Sequence, residues 1–133
     1  MKQTNRKRGF SLVELMIVVA VVAILVALAL PSYSRYVRKA NRGEAQSLLL
    51  NWANNQEIWR ANDSDYASAT SPVEIPAPTH DLYGFRITNR TATTYTLTAT
   101  PSTTDQLKDV ERGEPCTALT LDQSNAKAPA ECW

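Results

Sequence analysis

The run Phe10–Leu30, FSLVELMIVVAVVAILVALAL, constrains this chain more than any other feature. Its 21 residues include only Ser11 and Glu14 as polar groups, and at about 1.5 Å per residue a helix of that length spans roughly 30 Å of hydrocarbon. The segment therefore reads as a transmembrane helix. In a chain of 133 residues it leaves material for one small domain. An ordinary secretory signal has a shorter apolar region, followed by a small-residue site at which it is removed. This run is long for that, although Ala23, Ala27 and Ala29 keep a cleavable signal as the alternative.

Charge is placed unevenly. Lys2, Arg6, Lys7 and Arg8 precede the span with no acid among them, and without these four the 14 basic residues fall to 10 against 13 acidic. Bulk charge thus gives no support to a nucleic-acid partner, local patches aside. Arg35, Arg38, Lys39 and Arg42 follow the span, so the positive-inside rule leaves its direction open. Cys116 and Cys132 are the only cysteines. In an exported chain such a pair reads as one disulfide. Free or metal-binding thiols are the alternative, but a metal needs further ligands, and the single histidine, His80, lies in a loop with no partner spacing. A disulfide would place the C-terminal part in an oxidising compartment and the N-terminus in the cytoplasm. Closing a loop of that size stabilises a domain by about 3 kcal/mol.

Beyond the span, Pro31 removes an intrahelical hydrogen bond and crowds the preceding turn, which predicts a kink or loosening around residues 27 to 31 without ending the helix. From Ser32 to Asn62 the apolar residues recur at three- and four-residue intervals. Leu48, Trp52 and Trp59 are expected on one face against a sheet, with the early cations solvated and Gly43 as a second soft point. Trp52 and Trp59 read as core rather than as a ligand platform. Residues through His80 form a loop in which Pro72, Pro76 and Pro78 exclude regular helix. Period two then appears: Phe85 and Ile87 alternate with Arg86, Thr88 and Arg90, and Tyr95, Leu97 and Ala99 alternate with threonines. An antiparallel hairpin joined through Thr91-Ala92-Thr93 is the simplest pairing. After a polar stretch from Pro101 to Pro115, a third strand is expected at Ala118 to Leu121, with Leu119 and Leu121 inward, and a short fourth near Ala126 to Ala128.

Glu14 is the sharpest residue. A carboxylate at mid-membrane costs about 2.5 to 3.5 kcal/mol on insertion scales, and less near the interface. If the chain is cut between Gly9 and Phe10, the new amino terminus lies one helical turn away and can neutralise Glu14 in its own or a neighbouring chain. A helix N-terminus also favours a nearby carboxylate. Snorkelling or protonation without function is the alternative.

The basic leader, Gly9-Phe10, Glu14 and the unbroken apolar span together make residues 8 to 31 resemble the class III signal of type IV pilins and pseudopilins. The resemblance implies that a prepilin peptidase cuts after Gly9 and methylates Phe10, that Glu14 serves in subunit docking, and that Pro31 kinks the helix. The glycine that many pilins carry shortly before that proline is absent here. YTLTATP at 95 to 101, CTALTLDQ at 116 to 123 and ECW at 131 to 133 are most similar to PilE-type minor pilins of the type IVa group. The implied fold class is α+β and pilin-like: a long N-terminal helix packed on an antiparallel sheet of about three to four strands, with a loop closed by Cys116 and Cys132. Residues 1–9 would be a removed leader, 10–31 the membrane and filament-core half of the helix, and 32–133 a periplasmic domain.

The implied function is that of a minor pilin in pilus initiation and assembly, supporting twitching motility and adhesion. The implied partners are other pilins, the prepilin peptidase, the inner-membrane assembly machinery and, before assembly, lipid. A type II secretion pseudopilin is the alternative within that class. The cysteine pair and the lack of clustered acidic calcium ligands favour a pilin. A pilus-borne DNA or surface receptor is the alternative in another class, with Arg86 and Arg90 contacting phosphates, although the acidic remainder favours a solvated sheet face there. No nucleophile, base and orienting group come together in the sequence. No metal-ligand cluster or phosphate-binding loop is found either, so neither an enzyme nor a cofactor is expected.

Overall fold

The computed structural model describes residues 9–70 and 74–133. The leader cations Lys2, Arg6, Lys7 and Arg8, and Pro72 of the connecting loop, lie outside the described residues. A single helix, α1, runs from Leu12 to Arg60, with Pro31 inside it. The chain divides into two compact units, one ending at Arg35 and the other comprising Tyr36–Trp133.

In the first unit the helix is built from Leu, Ala, Val and Ile, and every residue from Phe10 to Tyr33 is exposed. The helix assignment is unbroken through Pro31, whose missing N–H leaves the Ala27 carbonyl without its usual partner. One turn on, Ser34 Oγ donates to the carbonyls of Leu30 and Pro31 at 3.3 and 3.2 Å.

In the second unit the helix buries Arg42, Ala45, Leu49, Trp52 and Gln56. Their spacing of three and four residues makes them one face. This corrects the expected face by one position: Leu49 is fully buried while Leu48 and Trp59 are only half-buried. Arg42 likewise belongs to the interior and not to the solvated early part. The helix stops where Asn62, Asp63, Ser64 and Asp65 compete for backbone hydrogen bonds. Asn62 Nδ2 donates to the Ile58 carbonyl at 3.1 Å, and Arg60 Nη1 to the Asp63 carbonyl at 2.8 Å.

Four antiparallel strands form the sheet: β1 (Tyr83–Thr88), β2 (Thr96–Pro101), β5 (Leu119–Asp122) and β6 (Lys127–Ala128), in the order β1-β2-β5-β6. Ile87 pairs with Leu97, and Leu97 with Leu121, so one face carries the apolar set inward. Leu97, Ala99, Leu119 and Leu121 meet Ala45, Leu49 and Trp52 of the helix in one core, joined by Tyr66, Tyr83, Tyr95 and both cysteines. Burying each of the large aliphatic side chains stabilises the unit by about 1.5–3 kcal/mol.

Between β2 and β5 the chain leaves the sheet. It forms a 3₁₀ turn at Gln106–Lys108 and then a ribbon of β3 (Val110–Glu111) and β4 (Glu114–Pro115). The ribbon turns at Arg112 and Gly113, with φ values of 51° and 90°, the left-handed pair that a two-residue hairpin turn requires. Sequence periodicity predicts only a polar connection there, because two-residue strands are too short to show a period.

Candidate functional site

Two features stand out, one in each unit. The first is the apolar surface of the N-terminal helix. Phe10 is 80% exposed, and Leu12, Leu15, Ile17, Ile24, Leu28 and Leu30 are each at least 59% exposed. Such a continuous apolar surface needs lipid or other helices to cover it. Glu14 lies in the first helical turn, one turn after Phe10, where the unpaired N–H groups of the helix start favour negative charge.

The second feature is a charged clasp holding the β2–β5 excursion to the helix of the second unit. Arg42 is 3% exposed. Its Nη1 donates to Asp109 Oδ2 at 2.9 Å and to Cys116 Sγ at 3.0 Å, and its Nη2 to Glu111 Oε2 at 2.5 Å. Lys39 Nζ also reaches Glu111, at 2.9 Å. Burial pushes the Asp109 carboxyl above its ordinary range, and the Arg42 charge offsets this only in part. Glu111 is held below its ordinary value by hydrogen bonds from Lys39 and Arg42. Beside this cluster, the buried Gln106 donates through Nε2 to the Arg38 carbonyl at 2.9 Å and to Tyr83 Oη at 2.8 Å, while its Oε1 accepts from Asn41 at 3.2 Å. Burial raises the Tyr83 phenol, an effect that the Gln106 contact partly opposes.

Cys116 and Cys132 form a disulfide, with an S–S distance of 2.04 Å and a sequence separation of 16. Gln46 Nε2 donates to the Cys132 carbonyl at 2.5 Å. The helix therefore holds both ends of the disulfide-closed loop.

Of the two strand arginines, Arg86 is exposed on the outer face of β1, opposite Thr98. Arg90 lies past the end of β1, where Asn89 has a φ of 51°, and its Nη1 donates to the Tyr66 carbonyl at 2.7 Å. The two arginines are not alternate residues of one strand. His80 Nε2 pairs with Glu44 at 3.2 Å while its Nδ1 accepts the Leu82 N–H at 3.0 Å. Among the described residues no group of three or more His, Cys, Asp or Glu side chains is placed to hold a metal.

Sequence reasoning missed Arg42, Asp109 and Gln106. Arg42 carried a signal, since it falls three residues before Ala45 and seven before Leu49 on the buried face. Asp109 and Gln106, in a stretch without periodicity, carried none.

An exposed apolar helix at the N-terminal end, together with a second unit in which helix and disulfide-closed loop enclose an antiparallel sheet, defines a pilin-type subunit. Residues 4–30 match the family described as "Prokaryotic N-terminal methylation motif", and residues 31–120 match that described as "Type IV minor pilin ComP, DNA uptake sequence receptor". The chain belongs to this type IV pilin family. It is 33% identical over 100 residues to the type IV major pilin protein PilE1 of Neisseria gonorrhoeae, covering 70% of this chain and 43% of that protein. It is 30% identical over 82 residues to the type IV major pilin protein PilA of Myxococcus xanthus, covering 62% and 37%. The chain thus spans less than half the length of these two relatives. The solved structure of a type IV pilin from Shewanella oneidensis superposes with a TM-score of 0.55 at 26% identity, covering 72% of this chain and 97% of that one. An apolar N-terminal helix and the methylation motif fit a pilin anchored in the membrane before it assembles.

Proposed function

We propose that this protein is a low-copy subunit of a type IV pilus that acts in initiating and assembling the filament, and so supports twitching motility and adhesion. The observation that carries the reading is the wholly exposed apolar surface of residues 10–30, interrupted by one carboxylate, Glu14. Such a helix suits two environments in turn, lipid and a bundle of like helices. Cleavage by a prepilin peptidase after Gly9 and methylation of Phe10 would supply a terminal amine for Glu14 of a neighbouring subunit. Before assembly the protein crosses the inner membrane once, N-terminus in the cytoplasm and disulfide-bearing unit in the periplasm, where it meets the assembly machinery and other pilins. Pro31 gives the helix its soft point. The match to a family described as a minor pilin supports the low-copy role.

Intact mass of subunits sheared from filaments tests this reading. A mature N-terminus at methylated Phe10, in a minor fraction relative to other pilins, is expected. Recovery as the dominant subunit would overturn the low-copy role, and recovery only from a secretion system would favour the pseudopilin alternative.

A second reading, a pilus-borne receptor for DNA, is favoured by the family description and by the exposed Arg86. It requires salt-sensitive binding of duplex DNA by the protein. The Arg90 guanidinium already donates to Tyr66, which leaves Arg86 as the freer of the two cations.

A further inference from the structure

Outside residues 10–30 the exposed large hydrophobics among the described residues are Tyr33, Tyr36, Leu50, Ile58, Leu107 and Val110. A solitary exposed leucine is ordinary, but most of these lie on, or are tied to, the helical turns that follow the apolar run. Tyr33 and Tyr36 come about one and two turns after Leu30. Leu107 and Val110, 47% and 51% exposed, belong to the excursion between β2 and β5, which is fastened to the first turns of helix in the second unit. Asp105 accepts from Arg38 at 3.0 Å, Gln106 holds the Arg38 carbonyl and Asn41, and Asp109 holds Arg42. In the 3₁₀ turn Gln106 is buried, which leaves Leu107 and Lys108 outward. The charges nearby are lopsided once pairs are set aside. Asp105, Asp109 and Glu111 are each engaged by Arg38, Arg42 or Lys39, whereas Arg35 and Lys108 are exposed cations without a carboxylate partner among the described residues.

We propose that residues 106–110 are a second membrane contact: Leu107 and Val110 enter the headgroup layer of the bilayer that residues 10–30 cross, and Lys108, with Arg35, meets anionic lipid phosphates. The inference rests on the reading of residues 10–30 as the membrane span. Arg38, to which the turn is tied, lies about 12 Å of helix beyond Leu30, and the headgroup layer adds about 5–7 Å to the hydrocarbon on each side. The flexible four-carbon stem of Lys108 spans the remainder, its methylenes lying along apolar surface while the ammonium reaches phosphate. Tyr33 and Tyr36 stand at the depth where amphipathic rings are favoured. Each basic group close to an anionic surface is worth about fivefold in binding, and the apolar area of Leu107 and Val110 removed from water adds to this. The clasp at Arg42 keeps the excursion on the helix, so the second unit rests on the membrane at a second point besides the span. Entry into a filament must then exchange lipid for other subunits at both.

The test uses the full chain in nanodiscs, one copy per disc, made of phosphatidylcholine alone or mixed with phosphatidylglycerol and carrying bromine on the acyl chains close to the headgroup. A tryptophan introduced at an exposed position reports its depth through bromine quenching above the unmutated background: Leu25→Trp in the span, Leu107→Trp in the turn, and Ile58→Trp near the end of the helix. Leu25→Trp and Leu107→Trp are expected to be quenched and Ile58→Trp not, with Leu107→Trp quenched more strongly in the phosphatidylglycerol discs. Adding Lys108→Glu should lower the docked-to-free ratio there about fivefold or more and change little in phosphatidylcholine. In the unmutated protein the Leu107 and Lys108 amides, which donate to the Thr103 and Asp105 carbonyls, should exchange more slowly in the anionic discs. Quenching of Leu25→Trp, with Leu107→Trp no more quenched than Ile58→Trp, would overturn this inference alone. Absence of quenching in both Leu25→Trp and Leu107→Trp would overturn the span on which it rests. Equal quenching of Leu107→Trp in the two lipids would overturn the contact with anionic lipid. Shielding of Leu107→Trp only in discs holding two copies would assign the patch to a neighbouring subunit instead.

Discussion

Gln56 and Ala67 exchange a pair of buried hydrogen bonds: the side-chain Oε1 accepts the Ala67 N–H at 2.8 Å and Nε2 donates to the Ala67 carbonyl at 3.2 Å. One helix amide thus imitates a strand partner and fixes the start of the connecting loop, where Tyr66 packs edge-on against Tyr95 at 4.6 Å. Gln56→Ala would leave both backbone groups buried without partners, at a cost of about 2 kcal/mol or more. Hydrogen exchange should show the amides of residues 66–68 losing protection ahead of the sheet. Unchanged protection there would mean that the tyrosine pair alone holds the loop.

Removing the Arg42 charge should be far more damaging than removing that of Lys39. Arg42→Met leaves Asp109 buried without its counterion, which typically costs about 3–5 kcal/mol, whereas Lys39 is largely exposed and Lys39→Met should cost less than about 1 kcal/mol. Adding Asp109→Asn to Arg42→Met should recover part of the loss. Denaturant midpoints read all three, and equal losses for the two cations would contradict a buried clasp.

Acid should weaken the second unit. Glu111 is lowered by hydrogen bonds from Lys39 and Arg42, and Asp122 by those from Ser124 and Ala126, so each stabilises the fold above its ordinary value of 4.5 or 3.8. That contribution is lost as pH falls through their lowered folded values. Asp109 is raised and acts in the opposite sense: its protonation is easier in the folded state, so it favours folding as pH falls. Melting temperature between pH 7 and pH 3 should therefore fall less in Glu111→Gln than in the unmutated protein. An unaltered slope would remove Glu111 from the account.

Glu14→Ala should be inserted and cleaved normally yet enter filaments poorly. Comparing membrane and sheared-filament fractions checks it, and normal incorporation would show that Glu14 has no docking role.

The two strand arginines should separate experimentally. Arg86→Ala is expected to leave stability unchanged and to reduce any salt-sensitive binding of duplex DNA, while Arg90→Ala should lower the melting temperature by freeing the Tyr66 carbonyl. Absence of measurable binding at low salt would end the DNA reading.

The strands were legible because Leu97, Ala99, Leu119 and Leu121 alternate cleanly with polar residues, and all four are buried as expected. The apolar span was legible by length. The helix face was read one residue away from its true centre because Leu48, Leu49 and Leu50 are consecutive, and only packing shows which of them turns inward. The clasp was least visible. A buried arginine looks like a surface one until its acceptors are known, and those acceptors lie some 67 to 74 residues further along the chain.

That sequence distance has a kinetic meaning. The β1–β2 hairpin joins neighbours in the chain, whereas the Arg42 contacts with Asp109, Glu111 and Cys116 close loops of about 70 residues, and such closures are slow to form because their entropy cost precedes their reward. The helix of the second unit thus carries an unpaired Arg42 until residues 109–116 have been made. Completion of the fold is timed by the segment made last, and a subunit whose clasp has not closed still presents the carboxylates and cysteines that a finished one conceals.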